Sequence, residues 1–222
     1  MSAAAAAHLA CGRSEALLEA APEASEWLAP GERARLAVTA DPRRQRQFLA
    51  ARWLARLLLS HATGAPASSW TLDAGEAAPP SVRGPHPMHV SIAHSGEWVA
   101  CACAAVPVGI DIEQVRAGRD VHGLATLSCT PSEQRLLDGA PDAVALFHEL
   151  WTVKESWLKR RGEGLAPSRL VQLDAQPAAD GQSRTWQGEG WWLALCADAR
   201  PCWWSPEPAP GRRWRVADLR PA

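Results

Sequence analysis

The chain has no tyrosine and only two phenylalanines, so twelve tryptophans carry nearly all of its aromatic surface. Indoles of that size act first as core anchors. Trp151 and Trp157 are expected to pack a helix against a sheet, while an exposed indole among Trp191, Trp192, Trp203 and Trp204 would offer a surface to a protein partner. An excess of one charge is also absent. The 23 Lys and Arg against 24 Asp and Glu leave a formal net charge of -1, which removes the basic footprint expected of a nucleic-acid-binding protein. No apolar run approaches the length of a membrane-spanning helix. The opening from Met1 to His8 has neither the basic start nor the long apolar core of a secretory signal. The chain is therefore expected to engage no nucleic acid and no membrane. Its six cysteines, at 11, 101, 103, 129, 196 and 202, show no paired zinc spacing and no dense disulfide pattern. They read as reduced thiols of a cytoplasmic protein, with Cys101 and Cys103 buried on one face of a strand.

What is present fits an ordinary folded protein. With 222 residues, 47% apolar and 21% charged, the chain is long enough for one large domain or two of roughly 100 residues. Its alanine-rich start is expected to fray. Pro30-Gly31-Glu32 and Asp41-Pro42 each open a helix, since Asp caps and Pro suits a first turn. The run from Phe48 to Leu59 is the strongest helix of the first half, ended by Gly64 and Pro66. Residues 74–87 read as an irregular Gly- and Pro-rich connection. Strands are expected at 88–93, 98–105 and 108–115, with Ser95-Gly96-Glu97 as a turn. A linker follows around 117–123, then helices at 131–137 and 141–161. Strand signals near 170–173, 185–186, 191–197 and 202–204 close the chain. Helices followed by strands, twice over, predict an α+β fold, divided into an N-terminal half at 1–105 and a C-terminal half at 106–222.

Two short motifs carry the chemistry. In Val108-Gly109-Ile110-Asp111-Ile112-Glu113, apolar residues alternate with Gly109, Asp111 and Glu113, so both carboxylates leave one face of a half-buried strand. From Phe147 to Arg161 the spacing is helical. Phe147, Leu150, Trp151 and Leu158 form an apolar stripe; His148, Thr152, Glu155 and Lys159 form a polar one. Glu155 and Lys159, four apart, point the same way, and Lys154 lies about 100° around the helix from Glu155, suited to a supporting contact. Taken singly, each motif also matches a solvated face with a weak ion pair. Taken together, three converging carboxylates repel unless a hard cation neutralises them. Mg²⁺ typically takes one or two carboxylates plus water and substrate phosphates.

In order and spacing, these two motifs resemble those of the 4′-phosphopantetheinyl transferases, in particular the longer, monomeric class typified by the surfactin-synthetase activator. The resemblance implies a pseudo-twofold duplicated α+β fold, each half carrying helices on a small antiparallel sheet. It implies transfer of 4′-phosphopantetheine from coenzyme A to a serine of an apo acyl, peptidyl or aryl carrier protein, with release of 3′,5′-ADP. Asp111, Glu113 and Glu155 would be the Mg²⁺ ligands. Glu155 would be the general base, and Lys159 would act on the leaving group and contact coenzyme A.

Val90-Ser91-Ile92-Ala93-His94-Ser95-Gly96 is similar to the family's Ser-His-Ser segment. That makes His94 and Ser95 contacts for the 3′-phosphate of coenzyme A, although Ala93 stands where a hydroxyl is common. Arg33, Arg35, Arg43, Arg44, Arg46, Arg52 and Arg56 fall where related proteins carry an arginine-rich region that meets the same nucleotide, which implies Arg46 and Arg52 as contacts. Thr130-Pro131-Ser132-Glu133 resembles an acidic helix start, making Glu133 a weaker site candidate. The family's Gly-Lys-Pro segment is matched only by Ala77-Ala78-Pro79, so either an arginine such as Arg83 substitutes or coenzyme A is held less tightly. Gly162-Glu163-Gly164-Leu165 would form a carrier-facing rim. The other readings are a metal-dependent pyrophosphate-bond hydrolase and a non-catalytic carrier-binding homologue.

Overall fold

The computed structural model describes residues 5–73, 81–116, 118–164 and 166–220. The chain opens with β1 (Ala6–Arg13), α1 (Ser14–Glu19), α2 (Ala24–Trp27), α3 (Pro30–Val38) and the long α4 (Pro42–Thr63). Next come β2 (Thr71–Asp73), β3 (Ser81–Arg83), β4 (His89–Ser95), β5 (Trp98–Ala104) and β6 (Val108–Gln114). Four helices follow: α5 (Val121–Ser128), α6 (Pro131–Asp138), α7 (Ala143–Arg160) and α8 (Pro167–Leu170). The chain finishes with β7 (Leu173–Pro177), β8 (Ser183–Gly188), β9 (Trp191–Ala197), β10 (Arg200–Trp203) and β11 (Ala209–Asp218). This is an α+β fold with sheets ordered β10-β1-β5-β4, β6-β9-β8-β11-β7 and β2-β3. It divides into two compact units, Met1–Val108 with Ala197–Pro206, and Gly109–Cys196 with Glu207–Ala222. Ala77-Ala78-Pro79, Ala117 and Leu165 lie outside the described residues. No helix among the described residues is long and apolar enough to cross a membrane.

In the second unit, α7 lies on a five-stranded sheet. Its Phe147, Leu150, Val153, Trp157 and Leu158 join Ala175, Ala194, Cys196, Trp214 and Val216 in one apolar core. Three elements differ from the sequence expectation. Part of the linker expected around 117–123 is the first turn of α5, because the Asp120 side chain accepts the Gly123 N–H at 2.9 Å and starts a helix. The strand expected at 170–173 begins only at Leu173, because Pro167–Leu170 turns as α8. Strand β11 had no counterpart in the expectation. Its arginines mask a period-2 pattern in which Trp214 and Val216 are buried while Arg213, Arg215 and Ala217 are exposed. Trp191 and Trp192 are buried in β9 rather than displayed.

In the first unit residues 1–4 of the alanine-rich start lie outside the described residues, and from Ala6 on it is the inner strand β1. Alanine favours helix, but here pairing on both sides decides the outcome. β1 runs antiparallel to β5 from Ala7↔Ala104 to Arg13↔Trp98 and parallel to β10 from Ala6↔Arg200, with Ala7 and Leu9 fully buried. Helix α4 begins where Asp41 accepts the Arg43 N–H at 2.8 Å and stops at Gly64, φ 74°, the left-handed cap that glycine adopts without strain. Its Ala50, Ala51, Leu54, Leu58 and Leu59 pack with Val99, Cys101 and Cys103 of β5. Burial pushes the Cys103 thiol up to about 12, and Cys101 rises for the same first reason. All six cysteines are free thiols.

Helices α3 and α4 are tied by a fully buried carboxylate. Glu32 accepts the Ala29 N–H at 2.9 Å and takes both Arg56 Nη1 at 3.1 Å and Nη2 at 2.5 Å. Arg52 Nε lies 3.9 Å from the same group. Removing one partner of such a cluster leaves an uncompensated buried charge. Glu32→Ala is therefore expected to lower the unfolding free energy by about 3–5 kcal/mol in urea titrations. Arg46→Ala, at an exposed position, should change it by less than about 0.5 kcal/mol.

Candidate functional site

The site starts from a glycine. A Cβ built on Gly109 would stand 1.9 Å from the Ser156 carbonyl oxygen and 2.4 Å from the Arg160 amide nitrogen, both backbone atoms of α7. Only glycine lets β6 approach the helix backbone so closely. The strand is consequently not half-buried, as its alternation suggests, but covered on both faces through Ile112. Asp111, two residues on, is pressed against the same helix at 3% exposure.

Helix α7 delivers Glu155 and Lys159 to that place. Lys159 Nζ donates to Asp111 Oδ1 at 2.6 Å, while Asp111 Oδ2 is buried and meets no donor. Burial drives the Asp111 carboxyl up to about 8; the Lys159 ammonium opposes the rise, and the neighbouring Glu155 carboxylate adds to it. Glu155 is also raised, first by burial, against the pull of Lys159 and with the push of Glu113. Burial pulls the Lys159 ammonium down, but Asp111, Glu155 and Glu113 outweigh it and hold it above its ordinary value. Asp111, Glu113, Glu155 and Lys159 thus share one electrostatic field.

These side chains offer a hard divalent ion a partial donor set. Among the described residues, no three His, Cys, Asp or Glu side chains are gathered as a ready cage, and Asp111 Oδ1 is taken by Lys159. However, the donors are hard oxygens, and one buried carboxylate oxygen has unmet lone pairs. Mg²⁺ uses one or two carboxylates and completes its shell with water and substrate oxygens. The residues present fit such an ion.

Glu133 and Lys154 form a separate, structural cluster. Lys154 Nζ donates to Glu133 Oε2 at 2.5 Å, Ser128 O at 2.7 Å and Leu170 O at 2.9 Å. Glu133 also accepts the backbone N–H groups of Thr130 and Ala175, each at 2.8 Å. All three ammonium protons are thereby used, and α7 is pinned to the ends of α5 and α8 and the start of α6. A sequence signal for this role existed: the chain has only two lysines, and both stand in the α7 motif. A compact ammonium fits a three-acceptor cage that a planar guanidinium does not.

The remaining site candidates lie in the first unit. His94 is exposed on β4 and Ser95 is buried beside it. The turn that follows is held by α4, because Gly96 O accepts Gln47 Nε2 at 2.6 Å and Arg43 Nε at 3.4 Å. Arg46 is exposed. Arg52 is 8% exposed and lies 5.2 Å over the Phe48 ring, with its Nη1 donor unmatched.

Two outcomes test this geometry. Gly109→Ala has no room for its methyl and is expected to destabilise the fold by about 1–3 kcal/mol or more, read from the chemical unfolding midpoint. For Asp111 the sign follows from a folded value raised from 3.8 to about 8. The native state holds a proton that the unfolded state has lost, so stability falls as pH rises across that window. Asp111→Asn should flatten that slope in metal-free protein, as measured by urea unfolding at pH 5, 6, 7 and 8.

Comparison with known proteins agrees with the geometry. A family model described as the 4′-phosphopantetheinyl transferase superfamily matches residues 107–204, which include β6 and α7. The chain is similar to a 4′-phosphopantetheinyl transferase of Bacillus subtilis, 40% identical over 81 residues, 36% of this chain and 35% of that protein. It is similar to 4′-phosphopantetheinyl transferase Sfp of Bacillus subtilis strain 168, 36% identical over 78 residues, 35% of each. It also matches 4′-phosphopantetheinyl transferase psf-1 of Bacillus pumilus, 33% identical over 104 residues, 47% of this chain and 44% of that one. The chain thus spans between 35% and 44% of the length of these relatives. Residues 107–204 are thus similar to the 4′-phosphopantetheinyl transferase superfamily.

Proposed function

We propose that this protein transfers 4′-phosphopantetheine from coenzyme A to a serine of an apo acyl, peptidyl or aryl carrier protein, with Mg²⁺, and releases 3′,5′-ADP. The observation that carries this reading is the meeting of Asp111 with Glu155 and Lys159, within the segment that matches the transferase family.

Asp111, Glu113 and Glu155 would hold the ion, whose contribution when bound is to neutralise the pyrophosphate oxygens. Glu155 takes the proton of the attacking serine hydroxyl. Its raised affinity for a proton brings it closer to the working pH of a general base. The serine oxygen then forms a bond to the β-phosphorus, and the bond from that phosphorus to the bridging oxygen breaks. The bridging oxygen leaves with 3′,5′-ADP, its charge met by the Lys159 ammonium. His94, Ser95, Arg46 and Arg52 supply nucleotide contacts, with Arg43 beside the same turn as a further cation. We place the reaction in the cytoplasm, with the chain acting as a monomer; six free thiols support a reducing compartment.

Mass spectrometry tests the proposal. Incubation with Mg²⁺, coenzyme A and a panel of apo carrier proteins should add about 340 Da to a carrier serine, as covalent transfer of the phosphopantetheinyl group requires. Asp111→Ala and Glu155→Ala should each slow the addition by on the order of a hundredfold or more. Cleavage of coenzyme A in the absence of any carrier would favour a hydrolase instead. A panel that stays unmodified, with no measurable coenzyme A binding, would favour a non-catalytic homologue.

A further inference from the structure

Asp111 has one oxygen on an ammonium and the other without a donor, with the Glu155 carboxyl close by. Lys159 Nζ lies 2.6 Å from Oδ1, with side-chain exposures of 18% for the lysine and 4% for the aspartate. Oδ2 is buried without a donor. Glu155 and Glu113 act on the same ammonium from nearby. Asp111 is therefore paired with a tethered internal cation. A divalent ion entering the same carboxylates meets that cation at close range, where like charges in a poorly solvated place repel strongly. The lysine has a four-carbon flexible stem, and its side chain is partly open to solvent, so it has both the reach and the room to leave.

We propose that Lys159 is a place-holding counter-ion, which competes with the divalent ion for Asp111 and gives up Oδ1 as the ion enters. The inference rests on the metal reading proposed above and extends it to the order of events. Until the ion arrives, Lys159 is engaged with Asp111 and unavailable to an anionic substrate. Once the ion takes Asp111, the displaced ammonium is left beside the place where a pyrophosphate oxygen would bind. Ion entry and presentation of the lysine are in this way one event.

Binding of Mn²⁺ alone tests this, read by the loss of the free-ion electron paramagnetic resonance signal, with neither coenzyme A nor carrier present. Lys159→Met removes the competing charge and should tighten Mn²⁺ binding by about tenfold or more. Lys159→Arg keeps the charge and should stay near the unmodified protein. Asp111→Asn should lose the binding in either background. If Lys159→Met alters the circular dichroism spectrum, Lys159→Gln provides the same charge removal with a polar side chain. Unchanged or weaker Mn²⁺ binding in a folded Lys159→Met or Lys159→Gln overturns the place-holder role while leaving the transferase reading intact. If neither the unmodified protein nor these variants bind Mn²⁺ at millimolar concentration, the metal reading and this inference both fall.

Discussion

The buried ammonium of Lys154 is the constraint on which the candidate site depends. An isolated charge at that depth would carry a desolvation penalty of several kcal/mol. Here it is enclosed by the Glu133 carboxylate and the carbonyls of Ser128 and Leu170, so every proton has an acceptor. The consequence is geometric as well as energetic. Lys154 and Glu155 are adjacent on a helix and lie about 100° apart around its axis. Fixing the azimuth of one fixes the direction of the other, and α7 is thereby turned so that Glu155 and Lys159 meet Asp111. Gly109 sets the remaining coordinate, the depth at which strand and helix meet.

The two units solve the problem of a buried carboxylate with different cations. Glu32 is matched by the planar, two-pronged guanidinium of Arg56 and by Arg52 on the same helix. Glu133 is matched by a point-like ammonium that also satisfies two carbonyls. In both clusters the carboxylate oxygens have cationic or backbone donors. Asp111 differs: its Oδ2 is buried without a donor, and the carboxyl is left with a strong affinity for a proton. That unmet carboxylate oxygen marks the place where an outside cation has something to complete.

Much of this was legible in the sequence because it rests on local rules. The strand carrying Asp111 and Glu113, the helix carrying Glu155 and Lys159, the capped start of α4 and the Thr130 to Glu133 helix start all follow from spacing and capping residues. What escaped depended on pairing at a distance. Ala6 to Arg13 looks like a loose end until β5 and β10 are placed on either side of it. In β11, the alternation of Trp214 and Val216 with arginines is a strand pattern masked by those arginines and by Pro208, Pro210 and Gly211 just before it. Glu133 was read toward the site because its position in the motif is visible, whereas its commitment to Lys154 is a tertiary fact.

The parallel pairing of β10 with β1 has a consequence for how the protein is made. Strand β1 is complete after Arg13, and β5, its antiparallel partner, after Ala104, yet its other neighbour spans Arg200–Trp203. During synthesis the first unit therefore stands with an open sheet edge while nearly a hundred further residues, including all of α7, leave the ribosome. An unpaired edge is a template for unwanted pairing with other chains, and long-range contacts of this kind form late. Closure of the first unit is accordingly deferred until most of the second has been synthesised, which makes the nascent chain most vulnerable to aggregation between those two points.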